Sequence, residues 1–230
     1  MSQTRRTLRA LRQEVEALRA FGVSAVPRAV APAGPAAAVR SEKLERLARV
    51  TEAVQTCRKC PLYRTRTHAV LSDGTPEARL VFVGEAPGRD EDLQGKPFVG
   101  AAGKLLTKMI EAMGLRREDV YICNVLKDRP PGNRTPLPEE IHACLPYLLE
   151  QLDIVQPAVI CTLGAVAAKA LLGPDVSITK IRGQLRAYDG IPLVPTYHPA
   201  YLLRNPAAKK DVWVDLQYVK RLLQRSRATA

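Results

Sequence analysis

Short apolar runs alternate with amphipathic stretches along most of the chain. The runs are rich in β-branched residues, which predicts buried strands; they lie at 78–83, 119–127 and 158–164. Apolar residues at helical spacing predict helices over 101–114, 139–156, 165–172 and 211–225. Residues 178–188 and 191–196 are expected to form a hairpin and a final strand. This alternation indicates an α/β fold with a parallel sheet covered on both faces.

Two of these helices have a clear predicted buried face. In helix 139–156 it consists of Ile141, Leu145, Leu148, Leu149 and Leu152. In helix 211–225 it consists of Val212, Leu216, Val219 and Leu222. Such stripes are expected where a helix packs on a sheet.

The first forty residues have a different pattern. Apolar residues at helical spacing predict an amphipathic helix over 4–21, and the Ala- and Pro-rich composition of 23–40 is typical of a linker. Ser41 is a candidate N-cap for the next helix, whose apolar face carries Leu44, Leu47, Val50 and Val54. We therefore expect residues 1–40 to be an N-terminal extension, with a possible role in binding a protein partner, and residues 41–230 to be the catalytic domain.

The charge of the chain favours nucleic acid as a partner. The chain has 35 basic and 23 acidic residues, which give a net charge of +12. Anionic membranes or acidic proteins would also be attracted. No apolar run reaches 18 residues and the N-terminus lacks a continuous apolar core, so neither a membrane span nor a secretory signal is expected. We expect a cytoplasmic protein whose five cysteines are buried thiols or metal ligands rather than disulfides.

One loop stands out for its chemistry. Residues 84–100, GEAPGRDEDLQGKPFVG, follow a predicted strand and precede a helix, which is where open α/β sheets bind ligands. Its acidic and aromatic residues suit a small planar substrate; they are Glu85, Asp90, Glu91, Asp92 and Phe98. Neither a dinucleotide fingerprint nor a phosphate loop is present. An ordinary solvated surface loop is the alternative.

A pair of cysteines precedes this loop. Cys57 and Cys60 are separated by two residues, so both sulfurs can face one metal centre, and the intervening Arg58 and Lys59 favour thiolates. A closed four-ligand site needs two further ligands.

Three segments in order now resemble the family 4, iron–sulfur-containing uracil-DNA glycosylases. They are 84–106 (GEAPGRDEDLQGKPFVGAAGKLL), 124–136 (NVLKDRPPGNRTP) and 198–206 (HPAYLLRNP), and the cysteines at 57, 60 and 144 also match. The resemblance covers about 43–225 and implies a three-layer α/β/α fold. It implies a monomeric, monofunctional enzyme that hydrolyses the N-glycosidic bond of flipped-out uracil in DNA to start base excision repair.

The resemblance also assigns roles to the pocket residues. It implies that Gly84, Glu85, Ala86 and Pro87 form the floor of the uracil pocket, and that Glu85 handles the attacking water. It further implies that Phe98 stacks on the base, Asn124 reads its edge and His198 lies against O2. Glu91 and Asp92 are alternative candidates for orienting water, and Glu91 is also a candidate for excluding the methyl group of thymine.

The residues after the third motif's histidine are candidates for contacting DNA. Leu202 and Leu203 offer an apolar wedge for the vacated stack, and Arg204 offers a cation for phosphate. Further candidate phosphate contacts are Lys127, Arg129 and Arg134.

The resemblance implies a [4Fe–4S] cluster, but the chain departs from the family at one ligand. The implied ligands are Cys57, Cys60, position 128 and Cys144, and position 128 is Asp where the family usually has Cys. We favour ligation by Asp128 through oxygen; substitution by Cys123, or a labile or absent cluster, are the alternatives. Cys123 and Cys161 lie within predicted strands and are expected to be buried thiols.

Two other functions remain open at this point. A catalytically silent iron–sulfur DNA-binding protein of the same fold would bind DNA without releasing uracil. A relative that traps uracil-DNA covalently would need a basic inserted loop ending in a histidine, and residues 130–138 contain no histidine.

Overall fold

The computed structural model of the chain describes residues 35–228. Within this range the helices are α1 (Pro35–Gln55), α2 (Arg89–Gln94), α3 (Ala101–Ala112), α4 (Pro138–Val155), α5 (Ala165–Leu172), α6 (Ile178–Ile181), α7 (Pro199–Arg204) and α8 (Lys209–Ala228). The strands are β1 (Ser72–Gly74), β2 (Leu80–Gly84), β3 (Tyr121–Asn124), β4 (Val159–Leu163), β5 (Arg186–Tyr188) and β6 (Ile191–Thr196).

The six strands form one sheet in the order β1-β3-β2-β4-β6-β5. The four inner strands are parallel to one another, whereas the edge strands β1 and β5 pair antiparallel with β3 and β6. Parallel strands connected by helices place the carboxyl ends of β2, β3, β4 and β6 at the same edge of the sheet.

Both faces of the sheet are covered, which confirms the predicted three-layer architecture. Alternate residues of β2 enter different cores: Val81 and Val83 pack with residues of α1 and α4, and Leu80 and Phe82 pack with residues of α3 and α8. Every residue of β2 is buried. A strand buried on both faces has no polar side, which explains why its sequence is a continuous apolar run.

The predicted helices exist, with corrections at their ends and faces. Helix α1 begins at Pro35, so Ser41 lies inside the helix and the N-cap prediction is wrong. In α4 only Leu148 and Leu152 of the predicted stripe are fully buried. The other three stripe residues are half-buried, because Cys144, Tyr147 and Gln151 share the buried face. The stripe of α8 is buried except for Leu222, which is half-buried.

The predicted hairpin over 178–188 is partly helical. Residues Ile178–Ile181 form α6, and only Arg186–Tyr188 pairs with β6. The predicted helix over 4–21 and most of the predicted linker lie outside the described residues. Within 35–228 no helix is long and apolar enough to cross a membrane.

Candidate active site

A cleft of about 580 Å³ opens at the carboxyl ends of β2, β3 and β6. Its walls come from the loops that follow these strands and from the first turns of α3 and α7. The lining residues include Glu85, Arg89, Phe98, Asn124, His198 and Tyr201. The sheet topology thus brings together three segments that are distant in sequence.

The floor of the cleft depends on a glycine. Gly84 ends β2 and pairs with Asn124 at the end of β3. A Cβ at position 84 would lie 2.3 Å from Oδ1 of Asn124 and 2.5 Å from Cζ of Phe98. Only glycine therefore lets the amide and the aromatic ring pack against the strand end. Ala86 and Pro87 line the cleft directly after Glu85.

Phe98 is held in an uncommon backbone conformation. Its φ is +55°, in the left-handed region that a bulky residue rarely occupies. Gly103 in the first turn of α3 makes room for it, because a Cβ there would lie 1.9 Å from the carbonyl oxygen of Phe98. The Phe98 ring centroid lies 5.6 Å from that of His198, with the planes tilted by 32°. Such strain concentrates at functional sites, and here it turns the ring toward the cleft.

Asn124 is buried and keeps an unused acceptor. Its side chain is 1% exposed, and no hydrogen bond is donated to its Oδ1 within the described residues. The backbone carbonyl of Asn124 accepts a hydrogen bond of 2.6 Å from Nζ of Lys127. The buried acceptor packs against Gly84 at the floor of the cleft.

His198 is a neutral imidazole with a defined tautomer. Its Nδ1 accepts a hydrogen bond of 3.1 Å from the backbone N–H of Ala200, where it caps the N-terminus of α7. The proton of the neutral ring therefore lies on Nε2. Burial lowers the pKa of His198 to about 4, and the charge of nearby Arg204 acts in the same direction. The ring thus remains neutral at physiological pH.

Glu85 is a partly buried carboxylate in the wall of the cleft. It lines the cleft directly after Gly84. Burial raises its pKa above the ordinary value. Within residues 35–228 no group donates a hydrogen bond to this carboxylate. A partly desolvated, unpaired carboxylate is a stronger base than a solvated one.

The other two acidic candidates have structural partners. Glu91 lines the cleft, but its carboxylate accepts hydrogen bonds from the backbone N–H groups of Gly88, Val99 and Gly100, at 2.9–3.1 Å. Asp92 is buried beneath the loop, where it accepts from the backbone and hydroxyl of Thr67. Glu91 therefore shapes the loop, and the placement of Asp92 does not support its predicted role in catalysis.

The predicted DNA contacts divide into exposed and buried groups. Leu203 is 46% exposed, but Leu202 is buried in the core, so the prediction of Leu202 as a wedge is wrong. Arg204 lines the cleft. The prediction of Lys127 as a phosphate contact is also wrong. Lys127 is fully buried and donates to the backbone carbonyl of Asn124 and to Oε1 of Gln151.

The remaining two arginines are tied to neighbours. The guanidinium of Arg134 forms a fork on the buried carboxylate of Glu140, with distances of 2.6 and 2.8 Å, although Arg134 also lines the cleft. Arg129 is half-buried and donates from Nε to Oδ1 of Asn133 at 2.7 Å.

The sequence reasoning assigned no role to Arg89 or Tyr201, which also line the cleft. Arg89 begins α2 within the acidic loop, and Tyr201 lies three residues after His198. The signal for Tyr201 was its place in the third motif; nothing in the local pattern distinguishes Arg89 from a surface charge.

The residues implied as cluster ligands lie near one another, but the aspartate among them is engaged in an ion pair. Among the described residues, no three His, Cys, Asp or Glu side chains are placed to hold one metal ion. Both oxygens of Asp128 accept from Nη1 of Arg66, at 2.9 Å each. Cys60 and Cys144 are buried in the core that also contacts Cys57. The expected ligation by Asp128 is therefore not supported, and the mechanism below uses no cluster.

Cys123 does not replace the missing ligand. It lies in β3, fully buried, and burial raises the pKa of its thiol to about 11. Cys161 is likewise buried in β4. Both match the prediction of inert core thiols.

Comparison with known proteins agrees with this geometry. The sequence model described as "Uracil DNA glycosylase superfamily" matches residues 71–218. A type-4 uracil-DNA glycosylase of Thermotoga maritima is 48% identical over 178 residues, 76% of this chain and 93% of the relative. The type-4 enzyme of Archaeoglobus fulgidus is 44% identical over 184 residues, 76% of this chain and 92% of the relative. The type-4 enzyme of Sulfurisphaera tokodaii is 48% identical over 180 residues, 74% of this chain and 82% of the relative. The chain belongs to the uracil-DNA glycosylase superfamily.

Proposed function

We propose that this chain hydrolyses the bond between C1′ of deoxyribose and N1 of uracil in DNA, which starts base excision repair. The observation that carries the proposal is the convergence of Phe98, Asn124 and a neutral His198 on one cleft beside Glu85. An aromatic face, an amide and an N–H donor together match the face, the edge and the O2 atom of uracil.

Binding begins with extrusion of the base from the duplex, which costs a few kcal/mol. The Phe98 ring offers a stacking surface that compensates part of this cost. The amide of Asn124 has one donor and one acceptor, which complement O4 and N3–H of uracil and mismatch the amino group and N3 of cytosine. The unused Oδ1 acceptor supports this assignment.

Bond cleavage leaves negative charge on the departing base. As the C1′–N1 bond breaks, its electron pair leaves with uracil and charge gathers on O2. The Nε2–H of His198 donates to that oxygen, and a donor placed in this way is typically worth about 3–4 kcal/mol. A neutral histidine suits this task for two reasons. The hydrogen bond from its N–H becomes stronger as negative charge develops on O2, and no desolvated cation has to be buried in the ground state.

Water completes the reaction at the sugar. The oxygen of a water molecule bonds to C1′ as the sugar becomes positively charged, and the Glu85 carboxylate accepts the proton that this water loses. The proton is then available for the uracil anion, so charges and atoms balance. The raised pKa of Glu85 supports its role as the base.

Exposed groups beside the cleft complete the proposed interface with DNA. Leu203 would fill the gap that the flipped base leaves, and Arg89 and Arg204 would contact phosphates. A monomeric state, a cytoplasmic location and a protein partner for residues 1–40 remain predictions. The resemblance implies an iron–sulfur cluster at Cys57, Cys60, Asp128 and Cys144; because the Asp128 carboxylate is engaged with Arg66, no step of the reaction is assigned to the cluster.

The test is single-turnover cleavage of an oligonucleotide that contains one uracil, followed by alkali, with a thymine oligonucleotide as control. We expect strand breaks at uracil only. The His198→Ala and Asn124→Ala variants should lose excision by orders of magnitude while they still bind DNA. Tight DNA binding by the wild type without any strand break would instead identify a silent DNA-binding protein.

A further inference from the structure

The strand that delivers His198 is anchored by a buried ion pair behind the cleft. Thr196 is the last residue of β6 and is fully buried. Its hydroxyl donates to Oδ2 of Asp215, on α8, at 2.6 Å. Asp215 is itself 1% exposed. The hydroxyl therefore fixes the strand end two residues before His198.

Arg182 completes the anchor from the segment after α6. Its Nε and Nη2 donate to the two oxygens of Asp215, at 3.1 and 2.7 Å. A two-point fork restricts the carboxylate in orientation as well as position. Because Asp215 is buried, its charge requires this partner, so both side chains are held in one arrangement.

The same guanidinium also packs on the aromatic ring of the residue before His198. Arg182 lies over the ring of Tyr197, 5.4 Å from its centroid. Tyr197 in turn packs on Tyr201, with ring centroids 4.9 Å apart, and Tyr201 lines the cleft. Arg182 thus contacts Tyr197 directly and is linked to Thr196 through Asp215.

We infer that Arg182 and Asp215 are positioning residues that hold His198 at the oxygen of the leaving base. The inference rests on the proposed function. Neither residue lines the cleft, so neither touches a base that is bound there. Their effect on the reaction passes through Thr196 and Tyr197 to the imidazole, where an error of about 1 Å can reduce the rate by about 10²-fold.

The test compares two leaving groups. The anion of 5-fluorouracil is a weaker base than that of uracil, so its departure depends less on the hydrogen bond at O2. A displaced His198 must therefore slow uracil excision more than 5-fluorouracil excision. A general loss of folding or of DNA binding slows both substrates equally.

We would measure single-turnover excision of both bases by Arg182→Met, Arg182→Lys and Thr196→Val, with His198→Ala as the reference. We expect Arg182→Met to lose roughly 10- to 100-fold on uracil and clearly less on 5-fluorouracil, in the pattern of His198→Ala. Arg182→Lys keeps the charge without the fork and should recover part of the loss. Affinity for DNA that contains an abasic-site analogue should stay close to that of the wild type.

Arg79→Met is the matched control, because Arg79 is half-buried and donates to Ser226 at the opposite edge of the sheet. It should leave the ratio of the two rates unchanged. If Arg182→Met does not fold, the same comparison of the two bases is made with Thr196→Val, which replaces only the hydroxyl by a methyl group. Equal losses on both bases, or full activity on uracil, overturn the inference. A wild type that releases neither base removes the proposed function itself, and this inference with it.

Discussion

Single residues in the cleft owe their chemistry to what surrounds them. The same imidazole that titrates near neutrality in water is held neutral at position 198 by burial and by Arg204. The carboxyl group of Glu85 is shifted in the opposite sense, toward a higher pKa. The two pKa shifts suit the proposed roles of His198 as hydrogen-bond donor and Glu85 as base.

These shifts predict the pH dependence of excision. Glu85 must be ionised to accept a proton, so the rate should fall on acidification through a pKa that lies above the ordinary 4.5. His198 is protonated only near pH 4, below that limb. We therefore expect the acidic limb in a pH–rate profile of single-turnover excision to disappear in Glu85→Gln, with a lower and flatter rate. A limb unchanged in this variant would assign the base elsewhere.

A second prediction concerns Gly84. In Gly84→Ala the new methyl would overlap Asn124 and Phe98, and the clash is with side chains that can move. We expect the protein to fold but to lose about 10²-fold in excision, because both contacts to the base are displaced. Thermal unfolding monitored by circular dichroism checks the fold in parallel. A variant with wild-type excision would show that the floor tolerates a side chain.

At the scale of elements, prediction from sequence succeeded where burial is complete. The apolar run of β2 appears as expected, because every residue of this strand is buried. Ser41 misled because a serine can precede a helix or lie within one. The burial of Leu202 and Lys127 could not be predicted either. The sequence does not show whether a leucine or a lysine in such a motif points to solvent or into the core.

The Arg66–Asp128 pair links three elements. Beyond Asp128, in the loop after β3, the guanidinium donates to the carbonyl oxygens of Val54 and Gln55 at the end of α1. The pair is nearly inaccessible, with 13% of the Arg66 side chain and 4% of the Asp128 side chain exposed. It can thus hold the cysteine-bearing loop to the sheet without a metal.

The corresponding prediction is measured as iron content. We expect the wild type, purified without oxygen, to contain little iron, because Asp128 is engaged with Arg66. Asp128→Cys should gain absorbance in the visible region and about four iron atoms per chain, since it supplies a fourth thiolate. Asp128→Ala is the control and should gain no iron. About four iron atoms in the wild type would show that Asp128 leaves Arg66 to bind a cluster.

Across the whole molecule, charge and topology act together at one edge of the sheet. The strand order brings the three motifs together at a single cleft. The sequence shows the order of the motifs along the chain but not that they lie close together. The net charge of +12 could be read directly, but its distribution could not. Arg134 illustrates this, because much of its charge is committed to Glu140.

Binding to DNA should therefore depend on salt through particular arginines. Replacing Arg204 with Met should weaken binding to any DNA sequence and reduce the slope of log affinity against log salt by about one. Arg46→Met is the control, since Arg46 pairs with Asp153 and does not line the cleft. Fluorescence anisotropy over a salt series measures both. An unchanged slope in Arg204→Met would remove this arginine from the phosphate contacts.

The unused oxygen of Asn124 has a consequence for the end of the catalytic cycle. A buried acceptor without a partner typically costs about 1–3 kcal/mol, and a base in the pocket relieves it. Free uracil should therefore raise the melting temperature of the protein and slow its own release. The protein would then be most stable just after cleavage, while the excised base still fills the pocket. The turnover rate would be limited by the dissociation of uracil.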